Sequence, residues 1–312
     1  MAHYDCIIVG GGPAGLPAGI YTCRAGFRAL LFERMFAGGQ ITTSTRLENF
    51  PGFPEGVDGP QFGSLVHDQA TAAGLALEYD EVSALTLKGD VKRVQTASGA
   101  EHTANAVICA MGARRRPLGL DREDAFRGAG LSYCATCDGA FFRDKTVAVV
   151  GGGDTACEDA LYLARLTKAV HLIHRRDTLR ARGVMAERVK RDPRIDIRWD
   201  TVVEELRGGE RLESLGLRDQ KTGHRQELPV DGVFLAIGLE PQTELVRGQL
   251  VLDALGYIET DRRMRTGVAG VFAAGDVRNT PLRQVVTAAA DGALAATSVI
   301  EYLEERQSAD DA

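Results

Sequence analysis

Two cysteines three residues apart, Cys134 and Cys137, are followed at once by Asp138. In a short loop of this spacing a neighbouring amide dipole lowers one thiol pKa and readies the pair for disulfide exchange. A carboxyl group beside such a pair can deliver or remove the proton that accompanies disulfide cleavage. Other readings compete. A structural zinc site takes four ligands, and the chain offers no second Cys-x-x-Cys or clustered Cys/His pair to complete one. The spacing can also arise by accident between two packing cysteines, and Asp138 can be a turn or N-cap aspartate. Cys6, Cys23, Cys109 and Cys157 lie in apolar stretches and read as inert packing thiols.

The pair stands between two copies of a glycine-rich motif, Gly10-Gly11-Gly12-Pro13-Ala14-Gly15 and Gly151-Gly152-Gly153-Asp154-Thr155-Ala156. A pyrophosphate must come within hydrogen-bond reach of backbone amides at a helix N-terminus. Side chains there block it, so glycines are needed, and the helix dipole favours the anion. Each copy predicts a strand, a turn, a helix and a second strand. The first runs as a strand over 5–9, a helix to about Arg24, and a strand over 29–32 ending on Glu33. The second runs as a strand over 145–150, a helix over 157–166, and a strand over 170–173 ending on His174. Gly10 to Glu33 and Gly151 to His174 are both 23 residues, an internal duplication of one binding unit.

The copies diverge at the strand end. Glu33 sits where an acidic residue accepts hydrogen bonds from a ribose. The second copy has His174, Arg175 and Arg176 there, with Arg180 four residues on. A carboxylate would repel a 2′-phosphate, whereas a guanidinium pair can grip it bidentately. The second site is therefore predicted to prefer NADPH to NADH. The alternative is a solvated basic run after a strand.

The elements that position these residues fit an α/β chain. Apolar strands are predicted over 106–110, 233–237 and 271–274, the last running into Gly275 and Asp276. A turn-rich loop covers 51–54, an amphipathic helix about 282–304, and the polar residues 307–312 read as a frayed end. The 312 residues suffice for two domains. A net charge of −6 disfavours nucleic acid and anionic membrane as general partners. No apolar run approaches the ~18 residues of a membrane span. The N-terminus enters an apolar strand without the regions of a signal peptide, so a cytoplasmic location is expected.

Taken together, these motifs resemble those of the low-molecular-weight, bacterial and archaeal type of thioredoxin reductase, over essentially the full length. The matching segments are 10–15, 38–40, 48–52, 134–139, 151–156, 174–180, 275–276 and 283–284. The position of the dithiol, inside the second nucleotide domain, separates this family from the glutathione reductase type. The resemblance implies a discontinuous FAD-binding domain, 1–114 plus 242–312, with an NADPH-binding domain, 115–241, inserted into it. Both would be three-layer, Rossmann-like domains. It implies FAD on Gly10, Gly12, Pro13, Ala14, Gly15, Glu33, Arg34, Gly39, Gln40, Asn49, Val82, Gly112, Gly275, Asp276, Arg283 and Gln284. It implies NADPH on Gly151, Gly153, Asp154, Thr155, Ala156, His174, Arg175, Arg176, Arg180, Ile237 and Gly238. It also implies a homodimer and thioredoxin as the protein substrate.

The implied mechanism passes a hydride from NADPH to FAD, opens the disulfide through Cys137, and rotates the inserted domain to expose the dithiol. Cys134 then attacks thioredoxin, Cys137 resolves the mixed disulfide, and Asp138 is the acid/base. Two departures from the family pattern stand out. Pro17 lies in the first turns of the first helix and predicts a kink; Met111 replaces a threonine. A reductase of a peroxiredoxin or other thioredoxin-like partner, and a dithiol oxidase of related fold, are the alternatives. Peroxiredoxin reductases carry an extra N-terminal thioredoxin-like domain, not expected here, and usually lack the His-Arg-Arg motif; the oxidases need no NADPH site, whereas one is expected here.

Overall fold

Apolar runs that stop at glycine set the frame of the chain. The computed structural model describes residues 2–44 and 46–310. It divides into two units, Met1–Arg114 with Glu240–Ala312, and Arg115–Leu239. The second crossing falls within a short strand that straddles it, two residues ahead of the expected 241/242. Each unit is α/β, as the alternating pattern requires.

In the first unit, β1 (Ala2–Val9), α1 (Gly15–Arg24) and β2 (Ala29–Glu33) form the leading strand–helix–strand, with β1 and β2 parallel. Then follow α2 (Gly59–Ala72), β3 (Ala76–Tyr79), β4 (Val82–Thr86), β5 (Lys92–Thr96) and β6 (Glu101–Cys109). β1 starts three residues earlier than its apolar run because β6 extends alongside it, pairing Ala2 with His102 and His3 with Thr103. The crossing out of the unit is β7 (Ala113–Arg115).

The second unit holds α3 (Glu123–Phe126), β8 (Leu131–Ser132), α4 (Ala135–Asp138), β9 (Thr146–Gly151), α5 (Asp154–Leu163), β10 (Ala169–Ile173), α6 (Val184–Arg191) and β11 (Ile195–Arg198). A three-stranded antiparallel sheet, β12 (Thr201–Arg207), β13 (Ser214–Asp219) and β14 (Arg225–Pro229), precedes β15 (Gly232–Ala236). The parallel sheet has the order β11-β10-β9-β15-β8. Alternate residues of β9 face opposite layers: Val147 and Val149 pack against α5 and α6, Ala148 and Val150 against the β12–β14 side. This alternation is the strand period of two put to use in a three-layer unit.

The chain returns through β16 (Leu239–Pro241), which pairs with β7, so the two crossings run side by side. β17 (Val271–Ala273) then pairs with β6, and α7 (Val285–Asp310) closes the first unit against α1. The seven-stranded sheet is ordered β3-β2-β1-β6-β5-β4, with β17 beside β6. Cys6 and Ile8 of β1 face α1 and α7, while Ile7 and Val9 face the opposite layer.

Two expectations are corrected. The helix α1 runs unbroken through Pro17. Pro17 is its third residue, where a backbone N–H has no intrahelical partner to lose, and the flanking Leu16→Gly12 and Ala18→Ala14 bonds are both made, at 3.1 Å. The end expected to fray over 307–310 is helical, because α7 continues to Asp310. Residues 311 and 312 of that expectation lie outside the described residues.

Candidate active site

The first glycine turn is built by close approaches. At Gly10 (φ +106°) a Cβ would lie 2.4 Å from the Ala110 carbonyl oxygen, and at Gly15 one would lie 1.9 Å from the Gly10 oxygen. Only glycine lets α1 start this near the end of β1. Gly12 faces Gly39: a Cβ on Gly39 (φ +59°) would sit 2.9 Å from Gly12 Cα. The Glu33 carboxylate accepts the Gly11 N–H at 2.8 Å and the Met35 N–H at 3.1 Å. Gly275 (φ +75°) closes on Ala14, whose Cβ would be 2.9 Å from an added Cβ. Asn49 Nδ2 donates to Gln284 Oε1 at 3.0 Å, and Gln40 Nε2 donates to the Ala113 carbonyl. Asp276 follows in the 3-10 turn Gly275–Val277. Glu33, Gly39, Ala110 and Gly275, from four separate stretches, thus close on the turn.

Some expected contacts stand apart from that gathering. Val82 is buried in the core with Val9, Phe32 and Leu30. Arg34 reaches Glu81 at 3.7 Å on the surface. Gly112 (φ +70°) accepts the Gln242 N–H at 3.0 Å. The Met111 side chain packs at the edge of the core and its carbonyl accepts from Gln242 Nε2. The Arg283 guanidinium lies over the Tyr257 ring at 4.2 Å, and its buried Nε has no partner. An anionic dinucleotide fits a turn of glycine backbone at a helix N-terminus.

The second turn repeats the first with a different occupant at the strand end. At Gly151 (φ +154°) a Cβ would lie 2.5 Å from the Ala236 oxygen. Gly152 faces His174 as Gly11 faces Glu33: an added Cβ would lie 2.2 Å from the imidazole. His174 is 5 % exposed, with its Nε2 2.9 Å from the Thr178 oxygen and its ring edge-on to Trp199. Burial holds its pKa below the ordinary histidine value, with Arg176 and Arg180 pushing the same way. The imidazole is therefore a wall of the turn, and the basic run read from the sequence splits: one residue faces inward and two face outward. Arg175 and Arg176 are exposed, as is Arg180, whose N–H donates to the Gly152 oxygen at 2.6 Å. The nearby carboxylates of Asp177 and Asp200 are engaged by Lys221, at 3.6 and 2.8 Å. Asp154, Thr155 and Ala156 form the first turn of α5 behind Gly153, and Gly153 faces the Arg180 guanidinium. Ile237 packs at the edge of the core, and the Gly238 oxygen accepts the Arg116 N–H at 3.2 Å.

Cys134 and Cys137 are joined as a disulfide in this same unit, with Cα atoms 5.3 Å apart. Cys134 begins α4, and its Sγ accepts the Cys137 N–H at 3.2 Å and lies 3.4 Å from Thr136 Oγ1. Both donors favour a thiolate at Cys134 once the bond is opened. Asp138 starts the 3-10 turn Gly139–Phe142, yet its side chain makes no capping bond there. It accepts instead from Ser132 Oγ at 2.5 Å. The other four cysteines are free thiols. Burial pushes Cys109 up to about 12 and Cys157 up to about 11, and raises Cys6 and Cys23. Among the described residues no cluster of three His, Cys, Asp or Glu could hold a metal ion. Nor is any described helix long and apolar enough to cross a membrane.

Three residues that support the sites were not visible in the sequence pattern. Asp291 accepts the Gly275 N–H at 3.2 Å and pairs with Arg278 at 3.0 Å. Tyr257 carries Arg283. Glu123 accepts Tyr133 Oη at 2.7 Å and the amides of Leu118 and Gly119, which ties the exit of the first crossing to the residue before Cys134. All three act across sequence gaps that carry no periodic signal. A carboxylate three residues past a loop of Leu-Gly-Leu is the one hint that a reader could have used for Glu123.

Comparison with known proteins gives these features a family. The family model described as pyridine nucleotide-disulphide oxidoreductase matches residues 4–292. A curated thioredoxin reductase of Streptomyces coelicolor is 48 % identical over 301 residues, 96 % of this chain and 94 % of that one. One of Treponema pallidum is 47 % identical over 304 residues, 97 % of this chain and 98 % of the other. Among solved structures, the thioredoxin reductase of Streptococcus pyogenes superposes with a TM-score of 0.92 at 39 % identity, covering 97 % of this chain and 99 % of that one. These matches run over nearly the whole of each chain, and the chain belongs to the pyridine nucleotide-disulphide oxidoreductase family, among its low-molecular-weight thioredoxin reductases.

Proposed function

We propose that the chain is an NADPH-dependent thioredoxin-disulfide reductase that works as a homodimer in the cytoplasm. The single observation that carries the reading is the Cys134–Cys137 disulfide with Asp138 beside it, in the same unit as the Gly151 turn. FAD and NADPH, when bound, supply the two electrons that open this disulfide. The cradle of Gly10, Gly12, Pro13, Ala14, Gly15, Gly39, Gly275 and Asp276 is assigned to FAD, with Glu33 on its ribose and Gln40, Asn49, Arg283 and Gln284 around it. Arg34, Val82 and Gly112 are assigned to its periphery, Val82 through its backbone. Gly151, Gly153 and the first turn of α5 are assigned to the NADPH pyrophosphate. Arg175, Arg176 and Arg180 are assigned to the 2′-phosphate, and His174 to shaping the turn.

The chain's own residues then do the following. Cys134 is the nucleophile, held ready by the two donors to its sulfur. Cys137 resolves the mixed disulfide with thioredoxin, and Asp138 moves the proton. Because the dithiol and the NADPH turn belong to one unit, turning of that unit about its two crossings presents each in turn.

The test is direct. Purified protein is mixed with NADPH or NADH and the flavin absorbance is followed; oxidised thioredoxin is then added and dithiol formation is read. NADPH should bleach the flavin far faster than NADH, and thioredoxin should be reduced. Cys134→Ser should keep flavin reduction and lose thioredoxin turnover. Parental turnover in that variant, or equal use of NADH and NADPH, would overturn the assignment. Light scattering of the holoprotein reads the dimer.

A further inference from the structure

Ser132 ends β8 two residues before Cys134 and is 5 % exposed. Its Oγ accepts the Cys134 N–H at 3.1 Å and lies 2.5 Å from Asp138 Oδ2. The Cys134 carbonyl, 3.4 Å away, competes for the hydroxyl proton. A serine has one proton to donate and two lone pairs to accept with. The shorter contact, to a carboxylate, takes the proton, and the lone pairs remain for the amide. One oxygen atom thus fixes the Asp138 carboxyl relative to the backbone of Cys134. The strand that carries this serine pairs with β15, setting Ser132 opposite Phe234, so the anchor sits on the sheet while the dithiol sits on a short helix.

We infer that Ser132 is a positioning residue for dithiol exchange: it aims Asp138 at the sulfur pair. The inference rests on the function proposed above. In the exchange, the Cys134 thiolate attacks one sulfur of the thioredoxin disulfide. A Cys134–thioredoxin bond forms, the thioredoxin S–S bond breaks, and its freed sulfur leaves as a thiolate. The Cys137 thiol then gives its proton to the Asp138 carboxylate and attacks the Cys134 sulfur. The Cys134–Cys137 bond forms, the second thioredoxin sulfur departs, and it takes up the proton from Asp138. Two electrons pass from the dithiol to thioredoxin, and the carboxylate ends as it began. Both proton movements need the carboxyl to reach sulfur, and the bond from Ser132 is the contact that would aim it.

The test uses the full-length holoprotein. Ser132→Ala, Ser132→Thr and Ser132→Val are each reduced with dithiothreitol, freed of it, and mixed with oxidised thioredoxin in a single turnover without NADPH. Ser132→Ala should slow the exchange about tenfold, a part of what a well-placed acid/base contributes. In steady state the loss should fall on kcat, with the KM for thioredoxin within about twofold of the parent, and flavin bleaching by NADPH should be unchanged. In an Asp138→Asn background, Ser132→Ala should cause less than about a twofold further loss, because the two residues act as one unit. Threonine and valine have one shape and differ in the hydroxyl, so Ser132→Thr should be fast and Ser132→Val slow even if Ser132→Ala folds poorly. Exchange by Ser132→Ala at the parental rate, equal rates for the Thr and Val variants, or a full tenfold loss that persists with Asp138→Asn would overturn the inference. A parent that fails to reduce thioredoxin at all would instead overturn the proposed function.

Discussion

Gly152→Ala tests whether the imidazole of His174 is a fixed wall of the second turn. The added Cβ would lie 2.2 Å from the ring, about 1.2 Å short of ordinary contact at 3.4 Å. The ring cannot simply turn aside, since it is 5 % exposed, bonded to the Thr178 oxygen and set against Trp199. Overpacking a fixed group costs about 1–3 kcal/mol, and losing the ring's hydrogen bond adds about 1, so the loss should be about 2–4 kcal/mol. Gly153→Ala is the control. Its Cβ would meet only the flexible end of Arg180, at 3.1 Å, so its stability should fall by less than about 1 kcal/mol, within the range of surface changes. The chain has one tryptophan, and Trp199 is next to His174. Its fluorescence through a urea titration of the full chain therefore reports the unit that holds this turn. Gly152→Ala should unfold at clearly lower urea than the parent, and adding His174→Ala should return part of the loss. Equal transitions for Gly152→Ala and Gly153→Ala, or no relief from His174→Ala, would refute the fixed-wall argument.

Four further outcomes are expected. Arg175→Ala/Arg176→Ala should raise the KM for NADPH by about 10–100-fold, the worth of charge-assisted bonds to a phosphate, and leave that for NADH near its parental value in initial-rate measurements. Asp291→Ala should cost about 3 kcal/mol by leaving Arg278 buried without its partner, read as a lowered melting temperature with a smaller drop for Asp291→Asn. After reduction, alkylation at pH 8 followed by peptide mass spectrometry should label Cys134 and Cys137 first, with Cys109 and Cys157 unlabelled until denaturant is added, because raised thiol pKa values starve them of thiolate. Burial, aided by the Glu158 charge, lifts the Asp159 carboxyl from 3.8 to about 7, so the folded chain keeps a proton that the unfolded chain has shed. The stability this confers is complete below about pH 4 and is lost as pH rises through about 7. Asp159→Asn should therefore be more stable than the parent at pH 8, by about 2 kcal/mol once the carboxyl's partial exposure is allowed for, with the gap closing towards pH 4 in urea melts.

Much of the frame was readable because it is local. Both glycine turns, their strands and the 23-residue spacing follow from apolar runs that stop at glycine, and the structure places Gly11 against Glu33 and Gly152 against His174 as that repeat demands. At His174 the basic run divides for a local reason: the ring is buried against Gly152 and Trp199, while Arg175 and Arg176, past the end of β10, are exposed. The antiparallel strands β12–β14 escaped notice because short alternating segments give little signal before their partners are known. Asp291, Tyr257 and Glu123 escaped because their partners are fixed by tertiary contact. Ser132 was closer to hand, six residues before Asp138, yet nothing about a serine in sequence says which oxygen it will face.

The order of elements along the chain has a consequence for synthesis on the ribosome. The strand β17 and the helix α7, which complete the first sheet and cover α1, are the last parts to emerge. The intervening stretch, Arg115–Leu239, is continuous and carries its own sheet and core. Nascent chains tend to settle domain by domain from the N-terminus, but here the earliest segment is held open. Gly292 must slide against the Ala14 oxygen, where even a methyl group would lie 2.1 Å away, before the first nucleotide turn has its backing. The dithiol unit is thus contiguous and able to form before β17 and α7 emerge, while the discontinuous unit waits for them.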